Sequence, residues 1–262
     1  AVCVGGPVMH TDTTWPADVL TLSIDIGGSG VKASIVNAQG VMTTDRVRVD
    51  TPYPCPPERM VRTVVDLVGP LLDVHRVSVG FPGLVRHGRV IEVPSLSRAT
   101  YGGTHDEDLA RSWQGFDLSH TLAEEFQRPT KVVNDADMQG CAVVGGQGIE
   151  FVMTLGTGVG TALFADGALL PHLELSHGPF KGGETFDVAL GNARRKQIGH
   201  DRWTRRVRRA IGHFDDMLHF DRLYVGGGNS KLLTASDVGP RGTIVPNTSG
   251  ILGGVRVWDL DA

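Results

Sequence analysis

Two glycine turns, an amide–carboxylate pair and an acid–histidine cluster carry the chemistry open to this chain. Residues 25–32 read Asp25-Ile26-Gly27-Gly28-Ser29-Gly30-Val31-Lys32. Residues 154–160 echo them as Thr154-Leu155-Gly156-Thr157-Gly158-Val159-Gly160. Glycine turns present backbone N–H groups with no Cβ in the way, which suits them to holding phosphate. Two such turns facing each other would clamp a phosphate chain between two lobes. Asn134-Asp135 supplies what an acceptor hydroxyl needs. An aspartate at a strand end can take the proton of a hydroxyl as it attacks phosphorus, and the neighbouring amide can both donate to and accept from hydroxyls. Asp137 is a second candidate base, and capping of the helix that follows is a bland alternative for both acids. His172, Glu174 and His177 taken alone could ligate zinc. No cysteine follows Cys141, however, so a structural tetrahedral site lacks its usual thiolates and no zinc is expected.

Eight of the sixteen residues 194–209 are basic: Arg194, Arg195, Lys196, Arg202, Arg205, Arg206, Arg208 and Arg209. A solvated helix face is one reading of this run. A nucleic-acid surface is another, without the aromatic interleaving or motif that would support it. A track for a long polyanion is the third, because the arginine fork binds phosphate bidentately. Arg195, Arg202, Arg206 and Arg209 would line it, with Lys181 and Lys231 extending it.

The elements that must position these groups follow from periodicity and turn signals. Strands are expected at 21–26, 31–36, 41–49, 77–81, 130–133 and 223–225. Helices are expected at 57–73, 119–126 and 137–144, with a long helical region over 192–220. Residues 94–116 read as mostly turn. The glycine-rich turn after residue 26 formally matches a dinucleotide fingerprint through Gly28, Gly30 and Ala33. That fingerprint needs a helix next, and the β-branched alternation of 31–36 predicts a strand. The strand–hairpin–strand unit occurs twice, which implies two α/β lobes, 1–136 and 137–262, joined near 135–148.

Composition narrows the class. The chain has 262 residues, 35 glycines and a formal net charge of −4. Its glycine content is well above the usual share of about 7%, and paired glycines such as Gly145-Gly146 suggest tight turns near ligands. No global charge favours nucleic acid or a membrane, and no apolar stretch reaches the length of a membrane span. Cys3, Cys55 and Cys141 lie far apart with no Cys-x-x-Cys, as in a reducing compartment. A cytoplasmic protein is expected, with no signal peptide and with residues 1–18 as a loose arm.

At this point the motifs resemble the ROK family of the actin/hexokinase superfamily. Residues 25–32 are similar to its first phosphate motif and 154–160 to its second. Asn134-Asp135-Ala136 resembles its sugar and catalytic motif. Glu174-Leu175-Ser176-His177 resembles its Glu-x-Gly-His sugar motif with serine in place of glycine. Tyr224-Val225-Gly226-Gly227-Gly228-Asn229 resembles the run beside the nucleoside. The resemblance implies a two-lobed actin-like (hexokinase/ribonuclease H-like) fold with the active site in the interlobe cleft. It implies Asp135 as the base and Asn134, Glu174, His177, Glu184 and Ser95 around a hexose. Asp25, Gly27, Gly28, Ser29, Gly30, Lys32, Gly156, Thr157 and Gly158 would bind phosphates, with Mg²⁺ held through Asp25 and water. Gly226, Gly227, Gly228 and Asn229 would bind the nucleoside.

The short length, the missing cysteines and Lys181-Gly182-Gly183-Glu184 resemble the family's polyphosphate-using glucokinases and glucomannokinases. That implies polyphosphate or ATP as donor and the 6-hydroxyl of glucose or mannose as acceptor, in a monomer or homodimer. An ATP-only hexose or amino-sugar kinase, a sugar-sensing repressor core and an actin-like filament protein are the other readings. The family's long closing helix has only the short tail 232–262, with Pro240 and Pro246, to form from.

Overall fold

The computed structural model describes residues 15–246 and 249–259. The chain opens with β1 (Thr21–Ile26), β2 (Val31–Val36) and β3 (Val47–Val49), followed by α1 (Pro57–Val68) and β4 (Arg76–Phe81). A small hairpin, β5 (Leu84–Arg86) and β6 (Arg89–Glu92), leads to α2 (Glu107–Trp113), α3 (Leu118–Phe126), β7 (Thr130–Asn134) and α4 (Asp135–Cys141). The second half repeats the opening with β8 (Ile149–Leu155), β9 (Val159–Ala165) and β10 (Ala168–Leu169). A second small hairpin, β11 (Pro179–Lys181) and β12 (Glu184–Thr185), precedes α5 (Phe186–Leu190), α6 (Asn192–Ile198) and α7 (His200–Leu218). The chain ends with β13 (Arg222–Gly226), α8 (Ala235–Val238), β14 (Gly242–Ile244) and α9 (Ser249–Arg256).

Two five-stranded sheets result, ordered β3-β2-β1-β4-β7 and β10-β9-β8-β13-β14. Each is an antiparallel meander joined to two parallel strands. The same topology is thus built twice, once per lobe. The helices that follow the two edge strands both reach across to the other sheet. α4 lies between the sheets, packing on β4 and β7 of the first and on β8 and β9 of the second, while α9 leaves the second sheet and packs on β1, β2 and β4 as well as on α4. Close approach depends on glycine: a Cβ on Gly254 would sit 2.9 Å from the Ser23 Cβ and 3.2 Å from that of Ser78. The Ser78 hydroxyl donates to the Gly254 carbonyl at 2.6 Å and accepts from Trp258 Nε1 at 2.8 Å. The short tail therefore closes the first lobe, and the division at 136/137 falls inside α4 and leaves α9 with the wrong sheet. The loose arm expected over 1–18 lies outside the described residues as far as 14, Cys3 included. Trp15, however, is anchored, edge-on to Trp258 at 5.3 Å with the Arg76 guanidinium 5.1 Å from its ring.

Several element boundaries moved, each for a local reason. The strand expected over 41–49 is paired only at Val47–Val49 apart from a lone Met42 bridge. Thr44 Oγ1 accepts from the Ile35 N–H, so a side chain replaces the ladder there. α1 stops at Val68 and tightens to a 3₁₀ turn over Gly69–Leu71, because Pro70 has no N–H to continue the helix. The supposed turn region 94–116 contains α2, whose first N–H groups are capped by the Asp106 carboxylate. The 192–220 helix breaks at Gly199, with φ +81°. The helix expected at 137–144 begins at Asp135, with Asn134 as its N-cap.

Candidate active site

The first hairpin closes through the Gly27 N–H, which donates to the Gly30 carbonyl at 3.0 Å. Its outer carbonyls are tied down from one loop. The Thr51 hydroxyl donates to Gly27 O at 2.6 Å. The Tyr53 hydroxyl lies 2.7 Å from Gly28 O and 3.0 Å from Ser95 O, sharing its one proton between them. A Cβ on Gly28 would come 3.3 Å from that of Ser95. Ser95, predicted to help with the sugar, therefore stands against the phosphate turn. Across the strands flanking the turn, Lys32 Nζ donates to Asp25 Oδ2 at 3.0 Å.

The second hairpin is held by groups that came from elsewhere in the sequence. Its own bond runs from Gly156 N–H to Gly158 O at 2.9 Å, and the Asn192 N–H lies 3.1 Å from both Gly156 O and Thr157 O. The Asp187 carboxylate accepts from Val159 N–H at 2.7 Å. Asn229 Nδ2 donates to Gly156 O at 3.0 Å, and the Asn229 N–H donates to Leu155 O at 2.9 Å. Gly227 sits at φ +83°, and a Cβ there would strike the Leu155 backbone. The glycine run Gly226–Asn229 thus lies directly on the second hairpin.

α4 carries the acid between them. The Asn134 side-chain oxygen caps it by accepting from Ala136 N–H at 2.7 Å, and Asn134 Nδ2 donates to Gly83 O at 3.0 Å. A second Nδ2 contact runs to Phe81 O at 3.4 Å, so the amide is oriented by backbone on both sides. Asp135 is the first helical residue and is partly exposed. Burial, and then the nearby Asp25 carboxylate, push its carboxyl up to about 7. The two lobes meet here: a Cβ on Gly160 would come 2.9 Å from the Ala136 Cβ.

Glu174 lies between two histidines, with His172 Nε2 3.5 Å from Oε1 and His177 Nε2 3.8 Å from Oε2. His172 Nδ1 is engaged by Asp137. Among the described residues no group of three or more histidines, cysteines and acids is disposed to hold a metal ion. Glu184 is placed differently from the other sugar candidates, for its carboxylate pairs with Arg194 and with Arg206 at 3.3 Å. Of the expected track, Arg195 donates to the Asn192 side chain at 2.9 Å, beside the second hairpin. Arg202 and Lys231 are exposed, and Arg209 reaches toward His213 and the Phe180 ring. Arg206 is half-buried on Glu184 and on the Ala189 carbonyl. One glycine pair has a structural task instead: Gly145 and Gly146 N–H groups donate to the buried Glu150 carboxylate at 2.7 and 2.6 Å.

Residues 21–173 match the ROK family. The chain belongs to the ROK family. The match takes in both hairpins and Asp135 and stops one residue short of Glu174. This ROK chain is 28% identical over 247 residues to a polyphosphate glucokinase of Mycobacterium tuberculosis (strain CDC 1551 / Oshkosh), covering 88% of each. It is 32% identical over 155 residues to an N-acetylmannosamine kinase of Escherichia coli (strain SMS-3-5 / SECEC), covering 57% of this chain and 49% of the relative. Among solved structures it is similar to an inorganic polyphosphate/ATP-glucomannokinase from Arthrobacter sp. strain KM. The TM-score is 0.75 at 30% identity, over 92% of this chain and all of that one. The fold of this ROK protein is the two-lobed actin-like one. No helix among the described residues is long and apolar enough to cross a membrane.

Tyr53, Thr51, Asp187 and Asn192 were not singled out from sequence. Each supports a hairpin from 24 or more positions away, and only the composition of the turns themselves is local.

Proposed function

We propose that this ROK protein is a sugar kinase that moves a phosphoryl group from inorganic polyphosphate or ATP to the 6-hydroxyl of glucose or mannose. What supports the reading is Asp135, which precedes the Ala136 that approaches Gly160 after the second turn and whose carboxyl burial and then Asp25, at the first turn, push up to about 7. A base matched to neutral pH takes the hydroxyl proton as the oxygen–phosphorus bond forms and the donor's phosphorus–oxygen bond breaks. A loose transition state asks chiefly for positioning and charge stabilisation, which the Gly27–Gly30 and Gly156–Gly158 turns fit. Lys32 already compensates one oxygen of Asp25, leaving the other for a water-bridged Mg²⁺, a hard cation that takes oxygen ligands. Mg²⁺ arriving with the donor would neutralise phosphate charge. Asn134, Glu174, His177 and Ser95 would hold the hexose, Gly226–Asn229 the nucleoside of ATP, and lobe closure would exclude water.

One observation favours a second reading, an ATP-only hexose or amino-sugar kinase. Glu184 neutralises Arg194 and Arg206, which removes two cations from any polyphosphate track. Initial rates with polyphosphate and with ATP, on glucose, mannose and N-acetylmannosamine, decide between them. No transfer from either donor to any sugar overturns the kinase reading and leaves a sensor core. Where polyphosphate is used, the double variant Arg202→Glu and Arg209→Glu is expected to lower the polyphosphate rate at least ~10-fold at low salt and the ATP rate less than ~3-fold. Equal losses with both donors remove the arginines from donor selection.

A further inference from the structure

Two side chains between the lobes are almost wholly withdrawn from water and have no part in the transfer described above: Asp137, 3% exposed, and His172, 6% exposed. They meet, with His172 Nδ1 2.9 Å from Asp137 Oδ1. Asp137 stands on α4 two residues beyond Asp135, and His172 lies in the loop after β10 two residues before Glu174. The remaining ring nitrogen, Nε2, is buried, makes no hydrogen bond and lies 3.5 Å from Glu174 Oε1. The loop is fixed from the other side as well, because Arg86 of β5 donates to the His172 carbonyl.

A buried ion pair is a poor way to stabilise a core, since desolvation offsets most of the attraction. It is a good way to fix a direction. Burial works against the charged imidazole, but the Asp137 and Glu174 carboxylates outweigh it and push its pKa up to about 9. As a cation His172 has a proton on each nitrogen, one for Asp137 and one aimed at Glu174. Burial raises the Glu174 carboxyl, yet His172, followed by His177 and Arg86, brings it below its usual range.

We propose that His172, held by Asp137, is a positioning residue that orients Glu174 toward the hexose and keeps it ionised. The sugar carboxylate and the catalytic carboxyl would then take their placement from the same helix, α4. This rests on the reading of Glu174 as a hexose ligand. The groups that act on the His172–Glu174 pair are Asp135 and Asp137 from α4, Arg86 from β5, and His177 from the same loop.

Two amide substitutions separate the two ends of the imidazole. Asn in place of His172 keeps a donor near the Nδ1 position and loses the one aimed at Glu174. Gln extends its amide nitrogen toward the Nε2 position. A cavity of about 300 Å³ bordered by Arg86, Asn134, Asp137 and His172 gives either side chain room to relax. The test measures hexose affinity calorimetrically without donor, alongside KM and kcat for the full chain. His172→Asn is expected to raise the hexose Kd and KM about 10-fold, with kcat changed less than ~3-fold, and His172→Gln to recover most of that loss.

The pH profile is read in an Asp135→Asn background, so that the titration of Asp135 does not enter. There His172→Asn should bind hexose less well as pH falls, because Glu174 without its cation is raised by burial and takes up a proton at higher pH than in the parent. The parent should change less. Equal impairment of the Asn and Gln variants, or an unchanged Kd and pH profile, overturns the proposal while the kinase reading stands. A wild-type chain that binds no hexose overturns both.

Discussion

The two halves of the molecule contain the same hairpin in the same sheet position, yet only one of them is charged. Asp25 pairs with Lys32 across β1 and β2, and the corresponding positions across β8 and β9 are Thr154 and Gly160. In the first half a salt bridge of 3.0 Å spans the strands. In the second, the Thr154 hydroxyl accepts from the Gly160 N–H at 3.2 Å. The supports differ in kind too: hydroxyls of Thr51 and Tyr53 hold the first turn, and a carboxylate, Asp187, anchors the strand after the second. Repetition of a backbone thus supplies two cradles of N–H groups. Side chains then distinguish the two, with a salt-bridged acid at the first cradle and close approach to α4 at the second.

The largest effect should come from the one acid that both cradles flank. Asp135→Asn keeps the shape of the helix start and is expected to lower kcat by roughly 10²-fold or more, following the usual worth of a general base, with hexose binding retained. Steady-state rates with calorimetric hexose affinity check this, and near-normal turnover would remove Asp135 from its role.

Asp25→Asn against Thr154→Ala then tests the distinction directly. Asp25→Asn should cost on the order of 10-fold in kcat and Thr154→Ala less than ~3-fold, as expected if only the first cradle handles the metal-bound charge. A second readout follows from electrostatics. Asp135 is raised by burial and then by Asp25, so it must lose its proton before acting, and activity should fall as pH drops through about 7. Removing the Asp25 charge lowers that carboxyl, so the acid limb of kcat/KM should move to lower pH in Asp25→Asn and stay in place in Thr154→Ala. An acid limb that moves equally in both variants would erase the distinction between the hairpins.

The strands around both hairpins and the position of Asp135 at a strand end were legible in sequence because turn glycines and strand alternation are local signals. The β1, β2 and β7 segments were placed within a residue for that reason. The supports were not legible. Asp137 and His172 are 35 positions apart, Asp187 and Val159 are 28 apart, and nothing in the spacing of either pair announces contact. Glu184 shows the same limit from the other side. Its motif suggested sugar, but the packing of α6 and α7 brings Arg194 and Arg206 to it. α2 escaped notice because only Leu109 and Trp113 mark its buried face, too few to register a helical period, while its Asp106 cap read as turn. Trp113 is nonetheless fully buried, with Nε1 donating to Cys55 O at 2.9 Å.

The smallest expected effect is also the most selective test of why the second hairpin gave up its charge. Lys32 and Gly160 occupy equivalent places, but Lys32 is partly exposed, whereas Gly160 faces α4. A Cβ at Gly160 would lie 2.6 Å from the Thr154 hydroxyl and 2.9 Å from the Ala136 Cβ, both too close for real contacts. Gly160 lies in strand β9 and its φ is not positive, so the cost of a methyl group is one of space rather than of backbone conformation. Overpacking of this size typically costs about 1–3 kcal/mol. Gly160→Ala should therefore unfold at lower denaturant, and Lys32→Ala should be close to neutral in stability. Adding Thr154→Ser to Gly160→Ala removes a methyl group but leaves the hydroxyl, and should recover little. Thr154→Ala removes the hydroxyl itself and should recover part of the loss. If Gly160→Ala is as stable as the parent, the lobes have slack at Ala136, and charge at this position was excluded by chemistry rather than by the approach of α4.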